Sequence, residues 1–106
     1  MMQGNYVMQG DAYGLLFVIK SNGEALTPDD VSDVEITVGT LSKTYRDGHV
    51  RYEGGEWVFP LSQTETFNFP VSQVEVQLRI LFADGAVEGA DLGIIDVRHS
   101  ISRRVL

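Results

Sequence analysis

Clustered carboxylates are the first feature of this sequence that could support chemistry. The four closest together are Asp29, Asp30, Asp33 and Glu35. Carboxylate oxygens are the ligands that Ca²⁺ prefers, but a calcium loop needs alternating ligands and a central glycine, which this segment lacks. Capping of a short helical turn accounts for Asp29 and Asp30 instead. We therefore predict no metal site here.

The histidines, His49 and His99, show no sign of a catalytic centre. Both have polar neighbours, which is typical of exposed strand positions. Nucleophilic catalysis needs a serine or cysteine held beside a base, and the sequence contains neither a Gly-x-Ser-x-Gly turn nor a cysteine. The Gly54-Gly55 pair leads from one predicted strand into another, whereas phosphate-binding loops lead into a helix.

Carbohydrate chemistry is the remaining possibility that the residue types allow. Paired carboxylates hydrolyse glycosidic bonds, and the acids that could meet in space are Glu53, Glu56, Asp91 and Asp96. Aromatic rings stack on sugars, and the candidates are Tyr45, Tyr52, Trp57 and Phe59. No pair of acids stands out, and core packing is the commoner role for a single tryptophan in a small β domain. We predict no enzyme activity and no cofactor, and keep a carbohydrate- or cell-surface-binding module as the alternative function.

Charge limits the partners of the chain. Its 106 residues include 15 acids against 8 lysines and arginines, a formal charge of −7. Such a surface repels phosphate backbones, so we expect no nucleic-acid partner. The one basic stretch runs from Arg98 to Arg104 without an acid. No apolar run is long enough for a signal-peptide core or a membrane span, so we expect no membrane contact and synthesis in a cytoplasm.

The element that must organise the fold is the segment from Val74 to Phe82. Apolar and polar residues alternate there, and a period of two places the apolar ones on one face of a strand. Asp84-Gly85 follows as a hairpin turn. A final strand is expected from about Val87 to Val97, with either a bulge or two buried faces at the adjacent Ile94 and Ile95.

Further strands precede this segment. Residues 13–20 carry apolar side chains on both faces, with Leu16 and Val18 on the second. This predicts a strand covered on both sides, in an inter-strand or an interface position. Asn22-Gly23 predicts a turn. Capping residues of single helical turns occur at Thr27 to Asp30 and at Ser62 to Glu65. The second turn is expected to cross from one sheet to another. Alternation over 34–38 predicts a strand, and short segments over 41–59 predict an antiparallel meander.

Together these elements predict a single domain, residues 1–106, with an all-β fold. The expected architecture is an antiparallel immunoglobulin-like β-sandwich of about seven or eight short strands with one or two helical turns, and a small closed barrel is the runner-up. Trp57 and Phe59 share a face and are the expected core anchors. Residues 1–11 are expected to form a flexible arm that pairs with a strand, and residues 99–106 a basic tail.

The order of these features resembles the immunoglobulin-like N-terminal module of phage upper-baseplate and related tail proteins. The likeness is carried by the segments Ile19–Leu26, Asp29–Ile36, Gly54–Ser62 and Val74–Gly85. It spans about residues 12 to 98. The family module is usually followed by a larger region, whereas this sequence ends at Leu106. The threonine-rich strand of the family has only Thr37, Thr40 and Thr44 here.

The resemblance implies a phage or prophage structural or assembly protein of a tail or baseplate. Its expected partners are further copies of itself and other tail proteins, which would place it in the virion. Spare strand edges and terminal arms would make the contacts. The residues expected at these contacts are Tyr6, Met8, Leu16, Val18, Arg98, Arg103, Arg104 and Leu106.

Overall fold

The computed structural model describes residues 6–106, and this part of the chain is predominantly β. Its strands are β1 (Tyr6–Met8), β2 (Gly14–Phe17), β3 (Lys20–Ser21), β4 (Glu24–Ala25), β5 (Val31–Val38), β6 (Leu41–Thr44), β7 (Arg51–Glu53), β8 (Glu56–Pro60), β9 (Gln73–Phe82) and β10 (Val87–Arg98). A 3₁₀ turn spans Pro28–Asp30 and a short helix, α1, spans Gln63–Phe67. The all-β prediction is therefore confirmed, as are the two helical turns.

The strands form two main sheets and a small hairpin. The larger sheet has five strands in the order β1-β10-β9-β5-β6, the second has three in the order β2-β8-β7, and β3 pairs with β4. All pairs are antiparallel except β1 and β10, which run parallel with Tyr6 opposite Asp96. The expectation of a wholly antiparallel fold is therefore wrong at β1. Alternation within a strand does not reveal whether its neighbour runs parallel or antiparallel to it. The connection between β1 and β10 is long, so it allows either direction.

Strand β9 occupies the centre of the larger sheet, as the sequence predicts. It pairs with β10 on one side and β5 on the other. Its inward side chains are all buried, namely Val74, Val76, Leu78 and Ile80. The intervening residues from Gln73 to Arg79 are exposed, so the period of two separates a core face from a solvent face.

One hydrophobic core receives side chains from both main sheets. Trp57 on β8 is fully buried, and its indole N–H donates to the carbonyl oxygen of Leu26 at 3.1 Å. Tyr45 and Tyr52 present their edges to the indole, with ring centroids 5.3 and 5.0 Å away. Phe59, on the same face of β8, is also fully buried. The prediction that Trp57 and Phe59 anchor the core is confirmed.

The two helical turns form through the capping residues that the sequence contains. The Asp30 carboxylate accepts hydrogen bonds from the backbone N–H and the hydroxyl of Thr27, at 2.9 and 3.1 Å. At α1, the Ser62 hydroxyl accepts from the Glu65 N–H, and the Glu65 carboxylate accepts from the Ser62 N–H. This reciprocal pair starts the helix that leads from β8 to β9, hence from the smaller sheet to the larger one.

A β-bulge in β10 resolves the ambiguity at the two adjacent isoleucines. The register with β9 shifts between Asp91 and Gly93. After the shift Ile95 and Val97 are buried, whereas Ile94 faces solvent. The bulge is therefore the correct alternative, and two buried faces are not needed.

The predicted meander over residues 41–59 is wrong in one respect. Strand β6 pairs with β5 in the larger sheet, whereas β7 and β8 form a hairpin in the smaller one. Residues 45–50 cross from the larger sheet to the smaller one, and the side chains of Tyr45 and Val50 at the two ends face the core. Glycine turns signal that a chain reverses, and they do not specify which sheet the next strand joins.

Candidate functional site

The terminal segments meet at one end of the larger sheet. Strand β1 lies beside the last residues of β10, and the chain continues past it as residues 99–106, the tail segment. The Arg98 guanidinium stacks on the ring of Tyr6, with its carbon 3.8 Å from the ring centroid. A cation over an aromatic face is attracted by the negative potential of the ring. This contact joins two residues that the sequence places among the expected partner contacts.

Gln9 and Phe67 together hold the side chain of Arg103, and we call this pair the arginine seat. The guanidinium donates to Gln9 Oε1 at 2.7 Å and lies 4.6 Å from the centroid of the Phe67 ring. Gln9 is buried, and its Nε2 donates to the carbonyl oxygen of Phe69 at 2.9 Å. Both ends of the amide are thus paired, which fixes the orientation of the oxygen that receives Arg103.

Helix α1 ties the arginine seat to the segment after β1. The buried hydroxyl of Thr66 accepts from the Gly10 N–H at 2.9 Å and donates to the Asp11 carbonyl oxygen at 2.8 Å. Gln63 donates to the Gly10 carbonyl oxygen at 3.0 Å, and its own amide oxygen accepts from the Leu106 N–H at 3.0 Å. Residues 9–11, α1 and the tail segment therefore form one hydrogen-bonded unit.

Apart from these contacts the tail segment is exposed. Its three apolar side chains lie largely in water, with Ile101, Val105 and Leu106 exposed by 97%, 59% and 95%. Arg104 is also exposed. Within residues 6–106 the tail segment is held by Arg103 and by the Leu106 N–H, and its apolar side chains remain exposed.

One side of β10 is an open strand edge. β1 covers this side only at residues 96–98, and among residues 6–106 no strand pairs there with residues 87–94, which we call the open edge. Val87 and Ile94, at its two limits, are 59% and 52% exposed. An uncovered edge presents backbone N–H and C=O groups that can pair with an added strand.

Leu16 and Val18 lie apart from the terminal segments. Leu16 is in β2, at one edge of the smaller sheet, and Val18 follows that strand. They are 46% and 58% exposed. Within one chain β2 is an edge strand with an uncovered outer face, so the predicted inter-strand position is wrong. The alternative, that another subunit covers this face, stays a prediction.

Two groups near these elements have shifted pKa values. Burial, reinforced by the nearby Asp11 carboxylate, raises the pKa of Tyr13 to about 12. Burial would also raise the pKa of Glu65, but hydrogen bonds from Ser62 and Lys43 outweigh it and hold that pKa below its usual value. The Lys43 ammonium lies 3.0 Å from the Glu65 carboxylate. Both shifts are typical of structural contacts that stabilise one protonation state.

The other candidate sites from the sequence are not assembled as a centre. Trp57 is fully buried and Tyr45 and Tyr52 pack against it, so these rings form no sugar-stacking surface. His49 and His99 are both exposed, as expected. Within residues 6–106 no group of three or more histidine or acidic side chains is placed to hold a metal ion.

A shallow polar groove lies on the solvent face of the larger sheet. It is lined mainly by Glu35, Thr37, Gln77, Arg79 and Asp91. Gln77 Nε2 donates to Asp91 at 3.0 Å, so part of the lining is already paired. The groove contains no aromatic ring, and the carboxylates of Glu53 and Glu56 lie in the other sheet.

In the described part of the chain, no helix is long and apolar enough to cross a membrane.

Six of the eight predicted contact residues lie together at the terminal end of the larger sheet. They are Tyr6, Met8, Arg98, Arg103, Arg104 and Leu106. The first five residues of the predicted arm lie outside the described residues. The sequence reasoning missed Gln9, Gln63 and Phe67, because a contact over so many residues leaves no local pattern. It also missed the open edge. The signal for it in the sequence was opposite charge, because residues 87–91 carry acids and the tail segment is basic.

No known family model, curated protein or solved structure matches this chain.

Proposed function

We propose that this chain is a structural or assembly protein of a phage or prophage particle, in the tail or baseplate. It would act through protein–protein contacts made by strand edges and terminal segments, with no catalytic step. The observation that carries the proposal is that one small domain has both an open strand edge on β10 and an exposed tail segment. Edges of this kind are usually blocked in monomeric proteins, and proteins that assemble use them.

The strand order supports an immunoglobulin-like sandwich of the variable type as the scaffold for this role. In such domains one sheet has the order G-F-C-C′ and the other the order B-E-D. Taken in chain order, β10-β9-β5-β6 and β2-β8-β7 correspond to those two sheets. Strand β1 extends the first sheet beyond its last strand. This correspondence supports the resemblance to the phage module, because the residues that carry the resemblance lie mostly within these strands.

The partners in this proposal are further copies of the chain and neighbouring tail proteins. Synthesis would take place in the bacterial cytoplasm, with the product carried into the virion. The net charge of −7 supports protein partners over nucleic acid. The basic side chains of the tail segment are partly used within the chain, since Arg103 already contacts Gln9.

Particle composition tests the proposal directly. Phage particles would be induced from a host that carries the gene, purified by density gradient, and examined by mass spectrometry for peptides of this chain. We expect peptides at a fixed ratio to known tail proteins, and tail-defective particles when the gene is deleted. Normal, infectious particles from the deletion strain, with no such peptides in the wild-type particles, would show that the proposal is wrong.

A further inference from the structure

We propose that the open edge of β10 binds the tail segment of a second copy of this chain as an added β-strand. The inference rests on the proposed structural role and names its first partner, which is the chain itself. Adding a strand to a sheet edge uses backbone hydrogen bonds for affinity and side chains for selectivity.

The open edge lacks lysine and proline, two of the features that usually prevent strand addition. Residues 87–94 contain neither lysine nor proline, and Gly89, Ala90 and Gly93 leave the backbone accessible. The bulge between Asp91 and Gly93 divides the edge, so the regular pairing surface is residues 87–91. Both acids of the edge, Glu88 and Asp91, lie in this part.

The tail segment has the composition that this surface requires. It carries Arg103 and Arg104 and no acid, whereas residues 87–91 carry two acids and no base. Ile101 and Val105 have high β-propensity, and the segment from Ser100 to Leu106 contains no glycine or proline. The exposed apolar side chains of the tail segment would lie near Val87, which is also exposed. Charge and apolar surface are therefore complementary between the two elements.

The tail segment cannot pair along residues 87–91 of its own chain. β1 already pairs with residues 96–98, so it occupies the edge between the tail segment and residues 87–91. About 26 Å separate Ala90 from Arg98 along the strand, at about 3.3 Å per residue. The Gln9 N–H donates to the Arg98 carbonyl oxygen, so the arginine seat lies beyond the end of β10 and holds the tail segment away from the open edge.

The resulting contact is heterologous, because the tail segment of one copy meets the open edge of the next. Such contacts form rings when the rotation closes and filaments when it does not. In the single chain the arginine seat holds Arg103 in place, so donation of the tail segment requires that this contact open. The seat therefore acts as a latch that competes with assembly.

A charge exchange between two variants tests the inference. Glu88→Lys alters the open edge and Arg104→Glu alters the tail segment, and both residues are exposed and outside the arginine seat. Sedimentation velocity should show concentration-dependent association of the wild type and about tenfold weaker association of each variant. An equimolar mixture of the two should associate more tightly than either alone, because the lysine introduced on the open edge then meets the glutamate introduced in the tail segment.

Matched controls carry the same charge changes elsewhere. Arg46→Glu and Glu24→Lys, at exposed positions in the turn after β6 and in β4, should associate like the wild type. A wild type that remains monomeric at every attainable concentration would overturn the inference. It would also be overturned if the controls weakened association equally, or if association survived removal of residues 99–106, since another occupant would then hold the edge.

The two proposals can fail separately. Self-association through the tail segment, in a chain that is absent from purified particles, would support the inference and contradict the proposed function. A monomeric chain that is found in particles would contradict the inference and support the proposed function.

Discussion

Arg103 donates a hydrogen bond of 2.7 Å to Gln9 Oε1, although 94 positions separate the two residues in the chain. The same guanidinium lies over the ring of Phe67. The contact fastens the last part of the chain to the segment after its first strand. In the proposed assembly, this contact must open before the tail segment can bind another copy.

The first prediction concerns this contact. Arg103→Ala removes one charged hydrogen bond and one cation–π contact, and we expect a loss of about 1–2 kcal/mol in the free energy of unfolding. Hydrogen exchange at residues 99–106 should speed up at the same time. Arg104→Ala is the matched control, because Arg104 is also exposed but lies outside the arginine seat, and its effect should stay within about 0.5 kcal/mol. Equal effects of the two substitutions would contradict the role of the arginine seat.

The second prediction concerns the buried indole. Trp57→Ala should lower the free energy of unfolding by about 3–5 kcal/mol, because a fully buried aromatic side chain leaves a cavity and the Leu26 carbonyl oxygen loses its donor. Urea unfolding followed by far-ultraviolet circular dichroism measures this without needing the tryptophan signal. Val18→Ala, at an exposed position, should change stability by less than about 0.5 kcal/mol. A Trp57→Ala chain as stable as the wild type would show that Trp57 does not anchor the core.

The third prediction concerns the hydroxyl that links α1 to residues 10 and 11. Thr66→Val keeps the shape of the side chain but leaves the Gly10 N–H and the Asp11 carbonyl oxygen without this partner. We expect a loss of about 1–3 kcal/mol by thermal or urea unfolding. Thr64→Val, on the exposed side of the same helix, is the control and should be nearly neutral. If both variants unfold at the same midpoint, the Thr66 bonds contribute nothing measurable.

The fourth prediction concerns the alkaline limit of stability. Tyr13 has its pKa raised to about 12 by burial and by Asp11, whereas a tyrosine in the unfolded chain titrates near its usual value of 10.0. Its contribution to stability is therefore fully present below pH 10.0 and lost as the pH rises through about 12. Titration of tyrosinate absorbance should show a late component that is absent in Tyr13→Phe. A late component that persists in Tyr13→Phe would be evidence against the shift.

The fifth prediction concerns the acidic limit. The folded chain holds the pKa of Glu65 below its usual value of 4.5, so the Glu65 carboxylate stabilises the fold above that value. This contribution is lost as the pH falls through the lower pKa of the folded state. The urea midpoint of the wild type should therefore fall more steeply than that of Glu65→Gln between about pH 5 and pH 3. Glu24→Gln, on the exposed β4, should retain the steep dependence.

The local features of the fold were predictable because they depend on neighbours in sequence. Alternation alone identifies β9, and Asn22-Gly23 forms the expected turn, with φ values of 53° and 83° that few other residues adopt. Ser62 and Glu65 cap α1 because they stand at the required spacing.

The long-range features were not predictable from such patterns. The parallel partner of β1 depends on where the chain goes over the following ninety residues or so, and no turn residue encodes it. The arginine seat combines Gln9, Phe67 and Arg103 from three separate parts of the chain. Their residue types are ordinary, so only the completed fold shows that they meet.

The parallel arrangement of β1 and β10 has a mechanical consequence. Tension applied between Tyr6 and Arg98 pulls the two strands in opposite directions along their common axis, because they run the same way. The hydrogen bonds that join them are then sheared together and do not peel apart one after another. Over the three residue pairs that join β1 to β10, such a link resists stretching better than a hairpin pulled open from its ends.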